Sequence, residues 1–364
     1  MSGFTGSCMK AQHSVTGLFA GWMTGRENCA IMQGKKAVLC RRGVGSMTTS
    51  VCMGIYNGAQ YLEAQLESIR NQSKAPDEVI LCEDGSSDRS GEIAEAFIKR
   101  HGLSEHWKLC RNRERKGYPG NFYHAMSLCT MDVVFLADQD DIWAANKMEE
   151  MCRTLEAHPE AKCVCCKFGL IDGEGKDIHS LMQPAVSHGT GNAREVSIGD
   201  VFYKCEWPGM VMAYRRAWFE EKIRERRPEQ DSRLPHDFLV SALAAEDRGF
   251  LQIDSELAYH RRHEHNTGQE EHRLGRLLNR RRKLQEIERY NSLLDIFREE
   301  KVLSSEEALR TLEEKRKVMG ERYKALLSRR MTRVAANAWR NRRMVRPATV
   351  ICDMVLCLGR GPKA

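Results

Sequence analysis

The residues best able to do chemistry crowd into one short run. In "VVFLADQDDIW", 133–143, five apolar residues end in three carboxylates, Asp138, Asp140 and Asp141. Like charges packed this closely disfavour ionisation unless a cation sits among them. Carboxylates at i and i+2 on an extended tip can share a divalent ion, or split between ion and ribose, and hard oxygen ligands suit Mg²⁺ or Mn²⁺. Such an ion would hold a diphosphate. Two other acidic turns have the same character: "EDGSSD" at 83–88, with Glu83 and Asp84, and His236-Asp237, where Pro235 opens a helix whose macrodipole favours an ionised Asp237. The plain alternative is a set of capped turns and surface acids. Against it, a five-residue apolar strand delivers Asp138 and Asp140 to a strand end rather than to open surface.

Positioning these turns requires alternating strands and helices. "SVCMGIYN" reads as a buried strand ending at Asn57-Gly58, and Tyr61, Leu62, Leu66 and Ile69 then recur at helical spacing. A strand at Val79–Cys82 leads into "EDGSSD" and a helix from about Ser90 to His101. A weaker strand lies near Trp107–Cys110, a helix runs through Phe122 to Leu128, and Val133–Ala137 is the fourth strand. The series predicts an α/β fold, a mostly parallel sheet flanked by helices. Ligands bind such sheets beyond the carboxyl ends of the strands, so "YNG" (56–58), "EDGSSD" and "DQDD" (138–141) are expected to converge on one crevice. After Pro159 the pattern gives strand-like pieces at 163–171, 196–203 and 209–214, then a helix around 235–246.

The order and spacing of these motifs resemble a family 2 glycosyltransferase of the GT-A fold, over roughly residues 49–270. His236-Asp237 and "YHRRHEHNTG" at 259–268 resemble its rhamnosyltransferase-like branch. The resemblance implies a nucleotide diphosphate sugar donor, with Tyr56, Asn57, Glu83, Asp84, Asn112, Asn121 and Asp138 on the donor side and Gly117 beside them. Glu83 stands where the family more often has Asp. It assigns a Mg²⁺ or Mn²⁺ ion to Asp140, His263 and in part Asp138, the general base to Asp237, and an acceptor-side segment to Trp207 and Gly209. The acceptor it implies is a polysaccharide or a lipid-linked glycan. One base and no second nucleophilic carboxylate imply a single displacement with inversion.

Charge and composition narrow the alternatives. Residues 271–364 hold 24 Lys and Arg against 12 Asp and Glu, so the first 270 residues carry −5 of the chain's overall +7. This tail reads as a basic helical region, and it sits beside the apolar "MVRPATVICDMVLCLG" at 344–359. The combination predicts peripheral attachment to an anionic membrane surface at the cytoplasmic face. Aromatic residues are sparse there, so nucleic acid is not an expected partner. No apolar run reaches the roughly 18 residues a membrane span needs. The 14 cysteines fall largely in apolar segments and read as buried free thiols of a reducing compartment. Residues 1–48 show no steady period and are expected to be a poorly structured extension, with Met47 as an alternative start. A haloacid-dehalogenase-like phosphatase also places Asp-x-Asp after an apolar strand, but on the first strand of its domain. A non-enzymatic protein using the basic helices to hold lipid or nucleic acid is the other alternative.

Overall fold

The computed structural model describes residues 47–178, 192–204, 207–226, 234–263, 279–342 and 345–358. The expectation for the N-terminal extension therefore lies outside the described residues, apart from its last two. Three buried runs and a more polar edge strand form the parallel half of one sheet: β1 (Thr49–Ile55), β2 (Glu78–Glu83) and β4 (Val133–Ala137), with β3 (Trp107–Arg111) at the edge. β2 and β4 are buried at every residue, as strands covered on both faces must be. Helices α1 (Leu62–Arg70), α2 (Ser90–Arg100) and α3 (Gly120–Ser127) connect them. β2 and β3 are laid down on one side of β1, and the chain then returns to place β4 on the other. That reversal opens a crevice beyond the carboxyl ends of β1 and β4.

The second half of the sheet is mixed. β5 (Ile142–Trp143) follows the acidic cluster directly, and α4 (Lys147–Ala157), β6 (Cys163–Ile171), β7 (Ala193–Glu195), β8 (Met212–Arg215) and β9 (Phe250–Arg261) complete it. The strand order is β3-β2-β1-β4-β8-β6-β9-β5, with β7 also paired to β9. Two strand-like stretches turn out differently. Residues 196–203 are largely helix, α5 (Ile198–Lys204), because Ser197 and Asp200 form a capping box: the Ser197 Oγ accepts from Asp200 N at 3.1 Å and the Asp200 carboxylate accepts from Ser197 N at 3.3 Å. Gly209–Val211 is a 3₁₀ turn, and the strand begins only at Met212.

Helices α6 (Arg216–Arg226) and α7 (His236–Glu246) precede β9, and α8 (Arg280–Glu299), α9 (Glu306–Leu327), α10 (Met331–Arg340) and α11 (Pro347–Leu358) follow it. The basic region shares the sheet's hydrophobic core. Phe297 of α8 is fully buried, with ring centroids 5.9 Å from Phe202 and 5.1 Å from Phe238, and Tyr290 Oη donates to Phe202 O at 2.8 Å. Burying one such side chain contributes roughly 1.5–3 kcal/mol, which is why an otherwise charged helix docks here. The ten described cysteines are free thiols, and no described helix is long and apolar enough to cross a membrane.

Candidate active site

The crevice begins where β1 ends. Tyr56 is clamped by Gln139, whose Oε1 accepts from Tyr56 N and whose Nε2 donates to Tyr56 O, both at 2.9 Å. A side-chain amide thus imitates a strand partner and ties the β1 tip to the β4 tip. Gly58 makes room for it, since a Cβ there would lie 2.3 Å from Gln139 Oε1. Asn57 takes the left-handed conformation at φ 48°, and its Oδ1 accepts from Ser87 N at 2.8 Å. Gly58 N donates to Ser90 Oγ at 2.8 Å and Ala59 N to Asp88 Oδ2 at 3.0 Å, so the loops after β1 and β2 interlock.

Asp84 is almost fully buried and holds the loop after β3. It accepts from Asn112 Nδ2 at 2.8 Å and from the main-chain N–H groups of Lys116 and Gly117 at 2.7 Å each. Asn121 joins the network by accepting from Asn112 Nδ2 and donating to Cys82 O, both at 2.8 Å. Asn112 Oδ1 is buried with no hydrogen-bond partner. Glu83 accepts from Ser86 N, which closes the acidic turn on itself. The same basic loop lays the Arg115 guanidinium 3.8 Å above the Tyr56 ring centre.

The acidic cluster follows β4. Asp140 Oδ2 lies 2.9 Å from His263 Nε2, and Asp141 Oδ1 accepts from Arg261 N at 2.9 Å and lies 3.0 Å from His260 Nδ1. Pairing of Ile142 with Tyr259 and Trp143 with Ala258 brings these segments together. Arg261 locks the junction, its Nε donating to Asp140 O at 2.8 Å. Burial pushes the Asp138 carboxyl well above the usual range, helped by the charges of Asp141, Asp140 and Asp237 and opposed by Lys147. Lys147 is fully buried, donates to Met210 O and stands 3.7 Å over the Trp143 ring centre. Burial lowers its pKa to about 8, against the opposing charges of Cys166, Asp141 and Asp138.

Across the crevice, α7 presents Asp237 in its first turn. Burial, Asp237 and Asp138 together push the Tyr118 phenol upward. Tyr118 stays 57% exposed and lies within reach of the charges of both Asp237 and Asp138. His236 stacks on Phe122 with ring centres 4.0 Å apart, and neither of its ring nitrogens has a hydrogen-bond partner. Burial lowers its pKa, against the opposing charge of Asp237. A Cβ on Gly209 would come within 2.8 Å of His236 Nε2, so this glycine accommodates a histidine ring.

Residues 50–221 match the model of Glycosyl transferase family 2. This stretch is a family 2 glycosyltransferase domain. Over 109 residues the chain is 35% identical to the Putative glycosyltransferase EpsE of Bacillus subtilis, which covers 30% of this chain and 38% of that protein. Over 100 residues it is 31% identical to the UDP-Glc:alpha-D-GlcNAc-diphosphoundecaprenol beta-1,3-glucosyltransferase WfgD of Escherichia coli, covering 28% of this chain and again 38% of that protein. The matched stretches span well under half the length of these relatives. Its fold resembles S. aureus TarS 1-349 in complex with UDP, with a TM-score of 0.54 at 16% identity over 85% of this chain and 89% of that one.

Within this glycosyltransferase framework, the expected residues fall into three groups. Asp140 and His263 meet directly, but Asp138 does not complete a triad with them: among the described residues no three His, Cys, Asp or Glu side chains are gathered as a metal site. The donor types still suit Mg²⁺ or Mn²⁺, and a divalent charge would offset the burial and repulsion that raise Asp138. The side chains of Asn57, Glu83 and Asp84, expected on the donor side, brace loops by holding main-chain groups. Trp207 is 6% exposed and packed on Phe250 at 5.7 Å, so it is core and offers no wall to an acceptor. Asn266 and Gly268, which extend the His263 motif, lie outside the described residues.

Gln139, Lys147 and Tyr118 were not singled out by their sequence context, and His236 entered only as the neighbour of Asp237. Lys147 alone carried a signal, since it falls on the buried stripe of α4 with Met148, Met151, Cys152 and Leu155.

Proposed function

We propose that this chain transfers a sugar from a nucleotide diphosphate donor to a hydroxyl of a polysaccharide or lipid-linked glycan, with inversion at the anomeric carbon. The observation that carries the reading is the Asp140–His263 contact beyond the end of β4, with the charge of Asp237 felt at Asp138. Asp138, Asp140 and His263 would hold a Mg²⁺ or Mn²⁺ ion, which when bound neutralises the leaving diphosphate. Tyr56, fixed by Gln139, and the loop fixed by Asp84, Asn112 and Asn121 line the nucleotide end. Asp237 takes the proton of the acceptor hydroxyl, a contribution of about 10²- to 10⁴-fold. Gly209 keeps the acceptor side open by seating His236.

The strand order supports this over a phosphatase, because the Asp-x-Asp follows the fourth strand rather than the first. The resemblance of "DQDD" and "HEHNTG" favours a dTDP-rhamnose donor, with a UDP-hexose as the alternative, and the relative WfgD is named for UDP-Glc. A lipid-linked acceptor would place the enzyme at the cytoplasmic face of the cell membrane. The test is nucleotide release from a panel of dTDP-rhamnose and UDP-hexoses, with Mn²⁺ and with Asp237→Asn. The variant should bind donor as the wild type does and turn over at least about a hundredfold more slowly. Weakened donor affinity with turnover preserved would make Asp237 a binding residue, and hydrolysis of phosphomonoesters alone would overturn the transferase reading.

A further inference from the structure

Exposed apolar surface is distributed unevenly over this chain. Of the nine large apolar side chains exposed among the described residues, six fall in 327–358: Leu327, Met331, Trp339, Ile351, Val355 and Leu358. Trp339 is 74% exposed, Ile351 63% and Leu358 67%. Helix α11 explains part of this. Ala348, Ile351, Val355 and Leu358 recur along one face, while Leu356 and Cys357 turn inward. Its one charged residue, Asp353, is also buried, its two oxygens accepting from Arg322 Nε at 2.7 Å and Nη2 at 2.9 Å. The outward face of α11 therefore carries no acid.

The surroundings are strongly basic. Residues 327–358 contain seven arginines and no acid besides Asp353. Arg329, Arg330, Arg333, Arg342 and Arg346 are exposed, and the Arg342 guanidinium stands 5.6 Å from the Trp339 ring centre.

We propose that the outward face of α11, with Trp339 and the surrounding arginines, is the surface by which this chain docks on an anionic lipid bilayer. Apolar side chains that enter the acyl boundary, a tryptophan suited to the headgroup level and arginines facing acidic headgroups are the components of an interfacial helix. Charge decides between occupants. A second copy would bring the same arginine cluster against itself. Residues 1–46 hold six Lys and Arg and one Glu, so that segment repels the face as well. An acidic lipid surface complements it.

This surface rests on the membrane placement proposed above but not on the transfer reaction, so a binding measurement without turnover separates the two. Full-length protein is sedimented with phosphatidylcholine vesicles containing graded phosphatidylglycerol, at low and high salt. Bound protein should rise with phosphatidylglycerol and fall with salt. Ile351→Asp/Leu358→Asp should weaken vesicle binding at least tenfold, and Arg342→Glu/Arg346→Glu should remove the preference for anionic vesicles. Both double variants alter exposed positions, and unchanged melting temperature and UDP affinity would verify their folding. Equal binding to neutral and anionic vesicles, or Asp variants that sediment like wild type, would overturn the proposal. So would a lipid-free dimer in light scattering that the Asp variants dissociate, since the face would then join two copies.

Discussion

Gln139 offers the most direct probe of how the donor crevice is built. Replacing it with Ala removes both hydrogen bonds to Tyr56. Each contributes about 0.5–1.5 kcal/mol net, so the variant should lose about 1–3 kcal/mol. Where the loss falls depends on the turn. If Tyr56 keeps its place, the unfolding free energy drops by that amount; if the turn loosens, donor binding must reorder it, and Kd rises by about 5- to 150-fold. Gln139→Glu is the sharper variant. Its carboxylate can still accept from Tyr56 N, but it leaves Tyr56 O without a donor and sets a further negative charge between Asp138 and Asp140. Urea unfolding and calorimetric titration with UDP and dTDP measure both quantities on the same samples. A Gln139→Ala protein that matches wild type in stability and in nucleotide affinity would refute the clamp. A Gln139→Glu protein that outperforms the Ala variant would refute the charge argument.

Three further outcomes follow from the structure. EDTA should abolish transfer and Mn²⁺ or Mg²⁺ restore it, with His263→Ala raising the half-saturating Mn²⁺ concentration on the order of tenfold or more; full activity in EDTA would sink the metal assignment. Lys147 has a folded pKa of about 8, below its unfolded value, so the unfolded chain binds the extra proton above that pH and this residue's contribution to stability increases with pH. Relative to Lys147→Met, wild type should therefore gain on the order of 1–3 kcal/mol in unfolding free energy between about pH 8 and about pH 10, and parallel curves would contradict the buried ammonium. Phe297→Ala should cost about 3–5 kcal/mol by opening a cavity between α5, α7 and α8, as read by denaturant midpoint; a loss under about 1 kcal/mol would mean the basic helices do not share the core.

The parallel half of the sheet was legible because apolar runs alternated with helical spacing, and β4 came out at the expected bounds. The meeting of Asp140 and His263 was reachable only through the family resemblance, since residues so far apart in sequence leave no local trace of contact. The helix at Ile198 was hidden behind a β-prone composition, although its capping box was present in the letters. Asp84 looked like a ligand-facing acid because sequence cannot tell a carboxylate aimed at a ligand from one aimed at main-chain N–H groups. Lys147 went unseen for the opposite reason, because lysine at a helix start is usually solvated. Gln139 illustrates the remaining difficulty, as its partner is the backbone of Tyr56 and backbone groups carry no identity.

The short pairing of β5 with β9 has a consequence for how such an enzyme diversifies. It joins the acidic cluster to His263 by strand register, independent of how much chain runs between them. Loops in that intervening stretch can lengthen, shorten or be exchanged while Asp140 and His263 stay in contact. On the proposed reading, the acceptor side could therefore drift toward new glycans without each innovation having to rebuild the donor end.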